Sequence, residues 1–520
     1  MTPRKRLRAP LAILTVTGLA LTAACTSGGD DPDGGDGGDS AGGDALSSLS
    51  IMAPYFAAVP PEEDDLIDQA LSELTGVDLT VQWVPNTDYG ERTNVVLAGD
   101  DIPDVMVMGK TPAFVQTAEA GGFWELTDYL NSGDYPNLVS ENPEVQEATS
   151  VNGHVYGVYR ARDVIRHCII LRADWLENLG LEQPETVEEL YEVARAFTED
   201  DPDGNGADDT YGFINPAWPG SIGSGSPYDA IELWHGAGNV WLEDGGELVP
   251  SFTTDEWMEA VEYERDLVQN GYTNPDYATM DPATWNEPFL NGEGGIIVDV
   301  QSRAPQLVEL FREQDPENAE NYVALVGQPE GPHGTFAMPT AGYSNFLAIP
   351  RSSVETEEQL EQVLQVLNDM NSTEAQILLN NGIEGDNFTV EDGYAVYNED
   401  RQDFTDQVSG AWAQLGTNVA GYDAYSTQPA TPYDEELAQL RLDLQAEDLE
   451  NAVFNPAASL ASETYQSSGT QLDTLISDAR LQFVAGQIDE AGLQDVIDRW
   501  HSQGGDQVIA ELNELYSELG

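Results

Sequence analysis

The sequence predicts an α/β protein with a mainly parallel sheet, because strand-like and helix-like segments alternate from residue 46 onward. Residues 46–53, 77–84 and 101–109 are short apolar stretches typical of buried strands. The stretches between them, about 64–75 and 91–97, have the apolar spacing of helices. A strand–helix–strand–helix–strand order places successive strands side by side and parallel.

The second half of the chain predicts fewer strands and more helices. Residues 295–300 and 344–350 are apolar and β-branched enough to form strands, and helical spacing dominates after about residue 358. The C-terminal tail reads as three helical segments that break at Gly486 and at Gly504. We therefore expect a helical extension at the C-terminal end of the α/β fold.

The first 45 residues predict export and anchoring. A basic stretch over residues 1–8 precedes an apolar run over 11–21, which has signal-peptide length and is too short to span a bilayer. Small residues then lead into Cys25, as in a bacterial lipobox, where the cysteine is diacylated; an ordinary secretory signal is the alternative. The lipoprotein interpretation is favoured because residues 25–45 form an acidic Gly/Asp-rich tether after the signal peptide at 1–24. It places the chain on the outer face of the cytoplasmic membrane, which it touches only through the lipid.

The charge of the chain restricts its partners. Ninety-four acidic residues face 19 basic ones, and loss of residues 1–24 would leave 15 basic residues against 94 acidic ones, a net charge of −79. Acidic, lysine-poor surfaces suit concentrated salt, where the Debye length falls to about 3 Å at ~1 M. Such a charge argues against nucleic acid, and against polyanionic ligands unless the few arginines converge on them. Cys168, the one thiol beyond Cys25, is expected to be a buried apolar side chain.

An acidic loop after a predicted helix has the register of a calcium site. Oxygen-bearing side chains stand at positions 1, 3, 5 and 9 of an EF-hand-like loop, a glycine at position 6 and a backbone carbonyl at position 7. These residues are Asp201, Asp203, Asn205, Asp209, Gly206 and Ala207. Gly212 stands where an EF-hand has its bidentate Glu, so we expect a structural calcium rather than a sensor. A solvated acidic turn is the alternative.

Several longer motifs carry a family resemblance. They are RADWLENLGL at 172–181, TVEELYEVARAF at 186–197, DPDGNG at 201–206, LVQNGYTNPDYAT at 267–279, FLNGEGGIIV at 289–298 and NNGIEGDNFTVEDG at 380–393. With this ordered set the chain resembles the extracellular solute-binding proteins of carbohydrate ABC importers. The similar branch includes the alginate-oligosaccharide-binding proteins and many Gram-positive lipoproteins.

The resemblance implies a two-lobed, periplasmic-binding-protein-like (type II) fold, with a hinge that the chain crosses several times. The approximate lobes are 46–158 with 300–370, and 159–299 with 371–520, the second containing the calcium loop at 201–212. The calcium ligands it implies are Asp201, Asp203, Asn205, the Ala207 carbonyl, Asp209 and the residue at 210. Here that residue is Thr210 instead of a carboxylate, which predicts a weakened ligand or a water in its place.

A sugar between two lobes is held by aromatic faces and by planar polar side chains. Aromatic residues beside loops or hinges are the best candidates for this role: Tyr55, Trp83, Trp218, Trp234, Trp285 and Tyr343. Arg160 and Arg162 lie near the first expected crossover, where they would bind the ligand or form a hinge salt bridge. The acidic surface favours a neutral sugar.

The function implied is that of a monomeric substrate-binding lipoprotein, which captures a sugar or oligosaccharide and delivers it to the permease subunits of an ABC importer. A secreted glycosidase-like enzyme is the alternative, and among 94 carboxylates a catalytic pair cannot be singled out. The sequence contains no HExxH zinc motif, G-x-S-x-G elbow or phosphate-binding P-loop, so we expect no enzyme. A surface adhesin or scaffold would not need two crossed-over lobes.

Overall fold

The computed structural model describes residues 46–62, 65–140, 142–218, 220–417 and 423–519. The predicted signal peptide, the Cys25 lipidation site and the acidic tether lie outside these residues. Within them, no helix combines the length and the apolar character needed to cross a membrane.

Fifteen strands are present in the described residues. They are Ser48–Tyr55 (β1), Asp78–Pro85 (β2), Val105–Met108 (β3), Val158–Ala161 (β4), His167–Arg172 (β5), Tyr211–Phe213 (β6), Trp241–Asp244 (β7), Glu247–Pro250 (β8), Gly294–Val300 (β9), Val323–Val326 (β10), Glu330–Gly331 (β11), Gly334–Thr335 (β12), Tyr343–Ala348 (β13), Phe388–Glu391 (β14) and Tyr394–Tyr397 (β15).

Eighteen α-helices accompany them in the same part of the chain. They are Leu66–Thr75 (α1), Asn86–Leu97 (α2), Pro112–Glu119 (α3), Thr127–Asn131 (α4), Pro143–Thr149 (α5), Ala173–Leu179 (α6), Val187–Glu199 (α7), Pro227–Trp234 (α8), Asp255–Gln269 (α9), Asn286–Asn291 (α10), Arg303–Gln314 (α11), Glu357–Asp369 (α12), Thr373–Asn381 (α13), Gln402–Gly410 (α14), Pro432–Leu449 (α15), Glu463–Val484 (α16), Glu490–Trp500 (α17) and Asp506–Leu519 (α18).

Two separate sheets organise the molecule. The first has five strands in the order β2-β1-β3-β13-β4, and the second has four in the order β10-β5-β9-β6. In the first sheet β1 is parallel to β2 and β3, as predicted, but β13 runs antiparallel to both of its neighbours. In the second sheet only the β6–β9 pair is parallel. The expected mainly parallel arrangement therefore holds only for the N-terminal strands.

Each sheet has a core of its own, which makes the protein two-lobed. All four residues of β3 are buried, as expected of a central strand that is covered on both faces. Helix α1 is capped at its start by Asp65, whose carboxylate accepts the Ile67 and Asp68 amides, and it ends at Gly76 with φ 73°. The second core surrounds β5 and β9 and includes Cys168, which is buried as predicted.

The chain crosses between the lobes near residues 161–166, 338–343 and 428–432. The first two crossovers run side by side: the Arg162 amide donates to the Gly342 carbonyl at 2.9 Å, and the Thr340 amide donates to the Val164 carbonyl at 2.7 Å. The third leads from the end of the first lobe into α15, which packs on the second core through Leu437.

The lobe boundaries differ from the sequence-based division in two segments. Helix α11 and strand β10 fall in the segment 300–370 expected in the first lobe, yet Phe311 and Leu325 lie in the second core. Conversely, Leu379 of α13 and Val408 of α14 pack in the first core, although residues 371–520 were expected in the second lobe. Apolar spacing shows that a helix packs on something, but it does not show which sheet it covers.

The three C-terminal helices form the expected extension. Ile476 of α16, Leu493 of α17 and Val508 of α18 share an apolar cluster with Trp257 of α9. Gly486 ends the first of the three helices, and Gly504, with φ 134°, separates the last two. The extension is thus attached to the second lobe by a core of its own.

Candidate functional site

A cleft of about 500 Å³ lies between the two lobes. Ala148 and Tyr343 line it from the first lobe, and His167, Trp218 and Asp299 line it from the second. The 338–341 crossover and the segment 454–459 complete its walls. This volume falls within the range of small-molecule sites, about 300–1,000 Å³, and only a ligand that touches both lobes can fill it.

His167 offers a hydrogen-bond acceptor at the edge of this cleft. It stands at the first position of β5 and is 7% exposed. Its Nε2 lies 3.2 Å from the Gly225 carbonyl oxygen, so Nε2 carries the proton and donates. Burial lowers the pKa of His167, which keeps the ring neutral. Nδ1 is left as a buried acceptor without a partner in the described chain, suited to a ligand hydroxyl.

Trp218 forms an aromatic wall of the cleft, with Trp285 behind it. The Trp218 indole N–H donates to Ser224 Oγ at 3.0 Å, and its ring meets the edge of Trp285 at 6.0 Å. Trp285 is only 2% exposed and donates to the Ile214 carbonyl at 2.8 Å. The Arg303 guanidinium lies 4.2 Å above its ring. Trp285 thus holds Trp218 in place instead of lining the cleft, which corrects the sequence-based expectation for it.

Charged side chains are distributed unevenly around the cleft. Asp299 is neutralised by Arg303, whose Nε donates to its Oδ2 at 2.5 Å. Glu144 and Glu147 line the wall that α5 provides. Arg166 lines the wall near the first crossover.

Arg162 is exposed on that same crossover, four residues before Arg166. In the part of the chain that the structure describes, neither guanidinium makes an ion pair or a side-chain hydrogen bond.

The remaining predicted ligand residues lie away from the cleft. Tyr55 and Trp83 are half-buried on the first sheet, where Trp83 packs edge-on against Trp412 at 5.2 Å. Trp234 is fully buried in the apolar cluster around Ile169 and Leu171 of β5, and its N–H donates to Gln328 Oε1 at 2.7 Å. Arg160 is 1% exposed and donates to the Ser344 carbonyl and to Gln414 Oε1. Of the eight predicted residues, Trp218 and Tyr343 line the cleft and Arg162 lies at the adjacent crossover.

Sequence reasoning missed His167, Arg166 and Gln301. Gln301 follows β9 directly, and both polar atoms of its buried side-chain amide lack a partner among the described residues. Its backbone N–H donates to the Arg166 carbonyl at 2.6 Å, which places it beside the crossover. Their position in the sequence could have indicated them, because polar residues at the ends of apolar strands lie at the edge of a sheet, where ligand sites form.

Lys110 joins the first lobe to the C-terminal segment behind the cleft wall. It is the only lysine after residue 5. Its ammonium donates to the carbonyls of Ala148, Ser150 and Ala458, at 3.0, 2.5 and 2.6 Å. Burial lowers the pKa of Lys110 to about 7, and these three acceptors oppose that effect by favouring the charged form.

The predicted calcium loop folds around the side chain of Asn205. Asn205 Nδ2 donates to Asp203 Oδ2 at 2.7 Å and to Asp209 Oδ1 at 3.2 Å, so these two carboxylates converge. The Gly206 amide donates to the Asp201 carboxylate at 3.0 Å, and Gly206, with φ 81°, supplies the sharp turn. Oxygen donors of this kind, gathered around one point, suit a hard cation.

Two observations limit the calcium prediction. Within the described ranges, no three His, Cys, Asp or Glu side chains form a group that could hold a metal ion. The Thr210 hydroxyl donates to the Phe197 carbonyl at 2.8 Å and is buried, so it faces α7. The calcium site therefore stays a prediction.

Comparison with known sequences identifies close relatives over nearly the whole chain. A profile of the bacterial extracellular solute-binding proteins matches residues 58–377. Lipoprotein LipO of Bacillus subtilis is 40% identical over 514 residues, which cover 99% of this chain and 98% of LipO. The polygalacturonan/rhamnogalacturonan-binding protein YtcQ of the same organism is 30% identical over 482 residues, 92% of this chain and 93% of that protein.

Solved structures support the same fold. An HMO-binding, ABC-transporter-associated solute-binding protein from Bifidobacterium longum infantis superposes with a TM-score of 0.68 at 18% identity, over 91% of this chain and 99% of that one. An alginate-binding protein solved without calcium ion gives a TM-score of 0.62 at 17% identity, over the same shares of the two chains. The profile match, the two relatives and the two-lobed architecture agree: the chain belongs to the family of bacterial extracellular solute-binding proteins.

Proposed function

We propose that this protein is the substrate-binding component of an ABC importer, which captures a sugar or oligosaccharide in the interlobe cleft and delivers it to the membrane permease. The cleft carries this proposal, because it joins an aromatic wall at Trp218 to a buried, unpartnered acceptor at His167 Nδ1. An aromatic face packs on the C–H surface of a sugar, and a neutral imidazole accepts a hydroxyl proton. The polysaccharide ligand named for YtcQ supports the same substrate class.

Delivery follows from closure of the lobes on the ligand. A sugar that touches both Tyr343 and Trp218 binds the closed arrangement better than the open one, and so shifts the population toward it. The adjacent crossovers at 161–166 and 338–343 are the segments that would absorb the rotation. The closed form then presents a two-lobed surface that the permease can distinguish from the open form.

Trp218→Ala tests the cleft assignment. We expect the variant to bind a sugar that stabilises the wild type more weakly, by about 1–3 kcal/mol, since it loses a large apolar contact. Calorimetric titration measures this change after a thermal-shift screen has identified the sugar. Trp83→Ala is the matched control, because Trp83 is also half-buried but lies on the first sheet outside the cleft. Equal affinity in the wild type and Trp218→Ala would contradict the assignment.

We infer binding without turnover. Among the carboxylates that line the cleft, Asp299 is engaged by Arg303, and Glu144 and Glu147 both come from a single turn of α5. A glycosidase would need an acid and a nucleophile on opposite sides of the glycosidic bond. Release of shorter sugars from a bound oligosaccharide by the pure protein would establish the glycosidase alternative instead.

We further propose that the loop at 201–210 holds one structural calcium. Its ligands would be Asp201, Asp203, Asn205, the Ala207 carbonyl and Asp209, with a water in place of Thr210. The convergence of Asp203 and Asp209 on Asn205 supports this donor set, and the ion would offset the repulsion between the clustered carboxylates.

We also propose that Cys25 is lipidated and anchors a monomer to the outer face of the membrane. The support is the sequence around Cys25 and the relationship to a lipoprotein of Bacillus subtilis.

A further inference from the structure

Arg303 lies behind the second-lobe wall of the cleft, where it contacts three other side chains. It is the first residue of α11, and its side chain is 18% exposed. Its Nε donates to Asp299 Oδ2 and its Nη1 donates to Asn286 Oδ1, both at 2.5 Å. The central carbon of its guanidinium lies 4.2 Å from the centroid of the Trp285 ring. One planar cation thus ties the end of β9 to the start of α10.

Two of these contacts lead to side chains that line the cleft, although Arg303 itself is not among its lining residues. Asp299 lines the cleft directly, and its side chain is 9% exposed. Trp285 meets the edge of Trp218, which lines the cleft, at 6.0 Å. Trp218 in turn donates to Ser224, another residue of the cleft wall. Arg303 therefore supports an acidic and an aromatic part of the same wall.

This arrangement orients both parts before a ligand arrives. An ionised carboxylate only accepts hydrogen bonds, and the contact of Asp299 Oδ2 with Arg303 leaves Oδ1 as the oxygen available to a ligand hydroxyl. The Trp285 ring is held between the Arg303 guanidinium and the Ile214 carbonyl, which accepts its N–H, and so it forms a fixed support for Trp218. Groups that are already in position cost less free energy to order when the ligand binds.

We propose that Arg303 is a positioning residue of the cleft, which holds the Asp299 carboxylate and the Trp218 ring in the arrangement that binds the sugar. This inference rests on the proposed sugar-binding function and adds to it a residue that acts without touching the ligand. If Arg303 is removed, the buried carboxylate of Asp299 loses its counter-ion and Trp285 loses the cation above its ring. Both effects reach the ligand through cleft side chains.

General stabilisation of the second lobe is the competing explanation. Arg303 begins α11, whose Leu307 and Val308 pack in the second core, so its loss could destabilise the whole helix. In that case the variants would melt at a lower temperature, but the folded protein would bind sugar with wild-type affinity. A positioning role predicts weaker binding by protein that remains folded, and it predicts that the effect depends on Trp218 and Asp299.

The test titrates Arg303 variants calorimetrically, well below their melting temperatures, with a sugar that stabilises the wild type. We expect Arg303→Gln to bind about 10-fold more weakly, within the range of coupling between residues in contact. Arg303→Lys should recover part of this loss, because it keeps the cation beside Asp299 but lacks the planar fork. Arg92→Gln, which deletes an exposed arginine of α2, should bind as the wild type.

Asn286→Ala provides a milder variant in case Arg303→Gln does not fold. It removes one acceptor of the guanidinium and leaves the contact with Asp299, so we expect binding to weaken about 3-fold. Wild-type affinity in folded Arg303→Gln, or in Asn286→Ala if Arg303→Gln does not fold, would overturn the inference.

Double-mutant cycles identify the route by which Arg303 acts. Arg303→Gln should weaken binding less in the Trp218→Ala and Asp299→Asn backgrounds than in the wild type, and by its full amount in the Trp83→Ala background. An effect of full size in both cleft backgrounds would overturn the inference, while weaker binding by Trp218→Ala itself would leave the proposed function standing. If no sugar of a wide panel binds the wild type, the proposed function and this inference both fail.

Discussion

Four buried ionisable side chains meet where α8, α9 and α16 pack, and Glu264 is the one without a partner. Arg480 Nη1 donates to Asp229 Oδ1 at 3.0 Å and to Glu232 Oε1 at 2.7 Å. Glu264 is 2% exposed, and neither of its carboxylate oxygens has a hydrogen bond in the described chain. One arginine thus faces three carboxylates in a buried region that holds the C-terminal extension to the second lobe.

The pH dependence of this cluster follows from linkage. Burial, and then the nearby Glu232, raise the pKa of Glu264 well above its ordinary value of 4.5. A carboxyl whose pKa is higher in the folded state binds its proton more tightly there. Its stabilising contribution is therefore complete below about pH 4.5 and is lost as the pH rises toward the folded pKa. Each pH unit in that interval costs about 1.4 kcal/mol.

Glu264→Gln should remove this cost. We expect the unfolding free energy of the variant, relative to that of the wild type, to rise by about 1.4 kcal/mol per pH unit as the pH increases above about 4.5 toward the folded pKa of Glu264. Urea unfolding followed by tryptophan emission measures the difference, and its slope is independent of any fixed cost of the new amide. Glu262→Gln, an exposed change on the same helix, is the control. Parallel pH profiles for the wild type and Glu264→Gln would refute the reasoning.

Three further outcomes are expected. Lys110→Met should lower the unfolding free energy by about 2–4 kcal/mol in urea titration, because three buried carbonyls lose their donor. The control Arg92→Gln should leave the unfolding free energy unchanged. An unchanged urea midpoint in Lys110→Met would contradict the role of the ammonium. Chelation of calcium should lower the melting temperature of the wild type. Asp203→Ala should have the same lowered melting temperature and should not respond further to chelator. Asp208→Ala, which changes the same loop outside the proposed ligand set, should behave as the wild type. Cys25→Ala should release the protein from membranes into the medium or block its processing, as fractionation with immunoblotting would show; unchanged membrane association would contradict lipidation.

Local patterns in the sequence predicted the positions of individual strands and helices better than they predicted how these elements pack together. The expected strand at 77–84 is β2, Asp78–Pro85, and the three expected C-terminal helices are α16, α17 and α18. Periodicity and glycine breaks encode such elements locally. Strand β13 runs antiparallel to its neighbours and α11 packs on the second sheet, and both features depend on where the chain crosses the hinge. That information resides in contacts between distant segments, which a single sequence does not display.

The position of an aromatic residue beside a loop did not suffice to predict that it lines the cleft. Trp234 ends α8, but all eight residues of that helix are buried, so its last turn faces the core like the rest. Trp285 precedes α10, and its indole is directed to the Ile214 carbonyl under Trp218. An aromatic residue beside a turn can point either way, and only the packing of the neighbouring elements decides. Trp218 lines the cleft because Trp285 already occupies the space behind it.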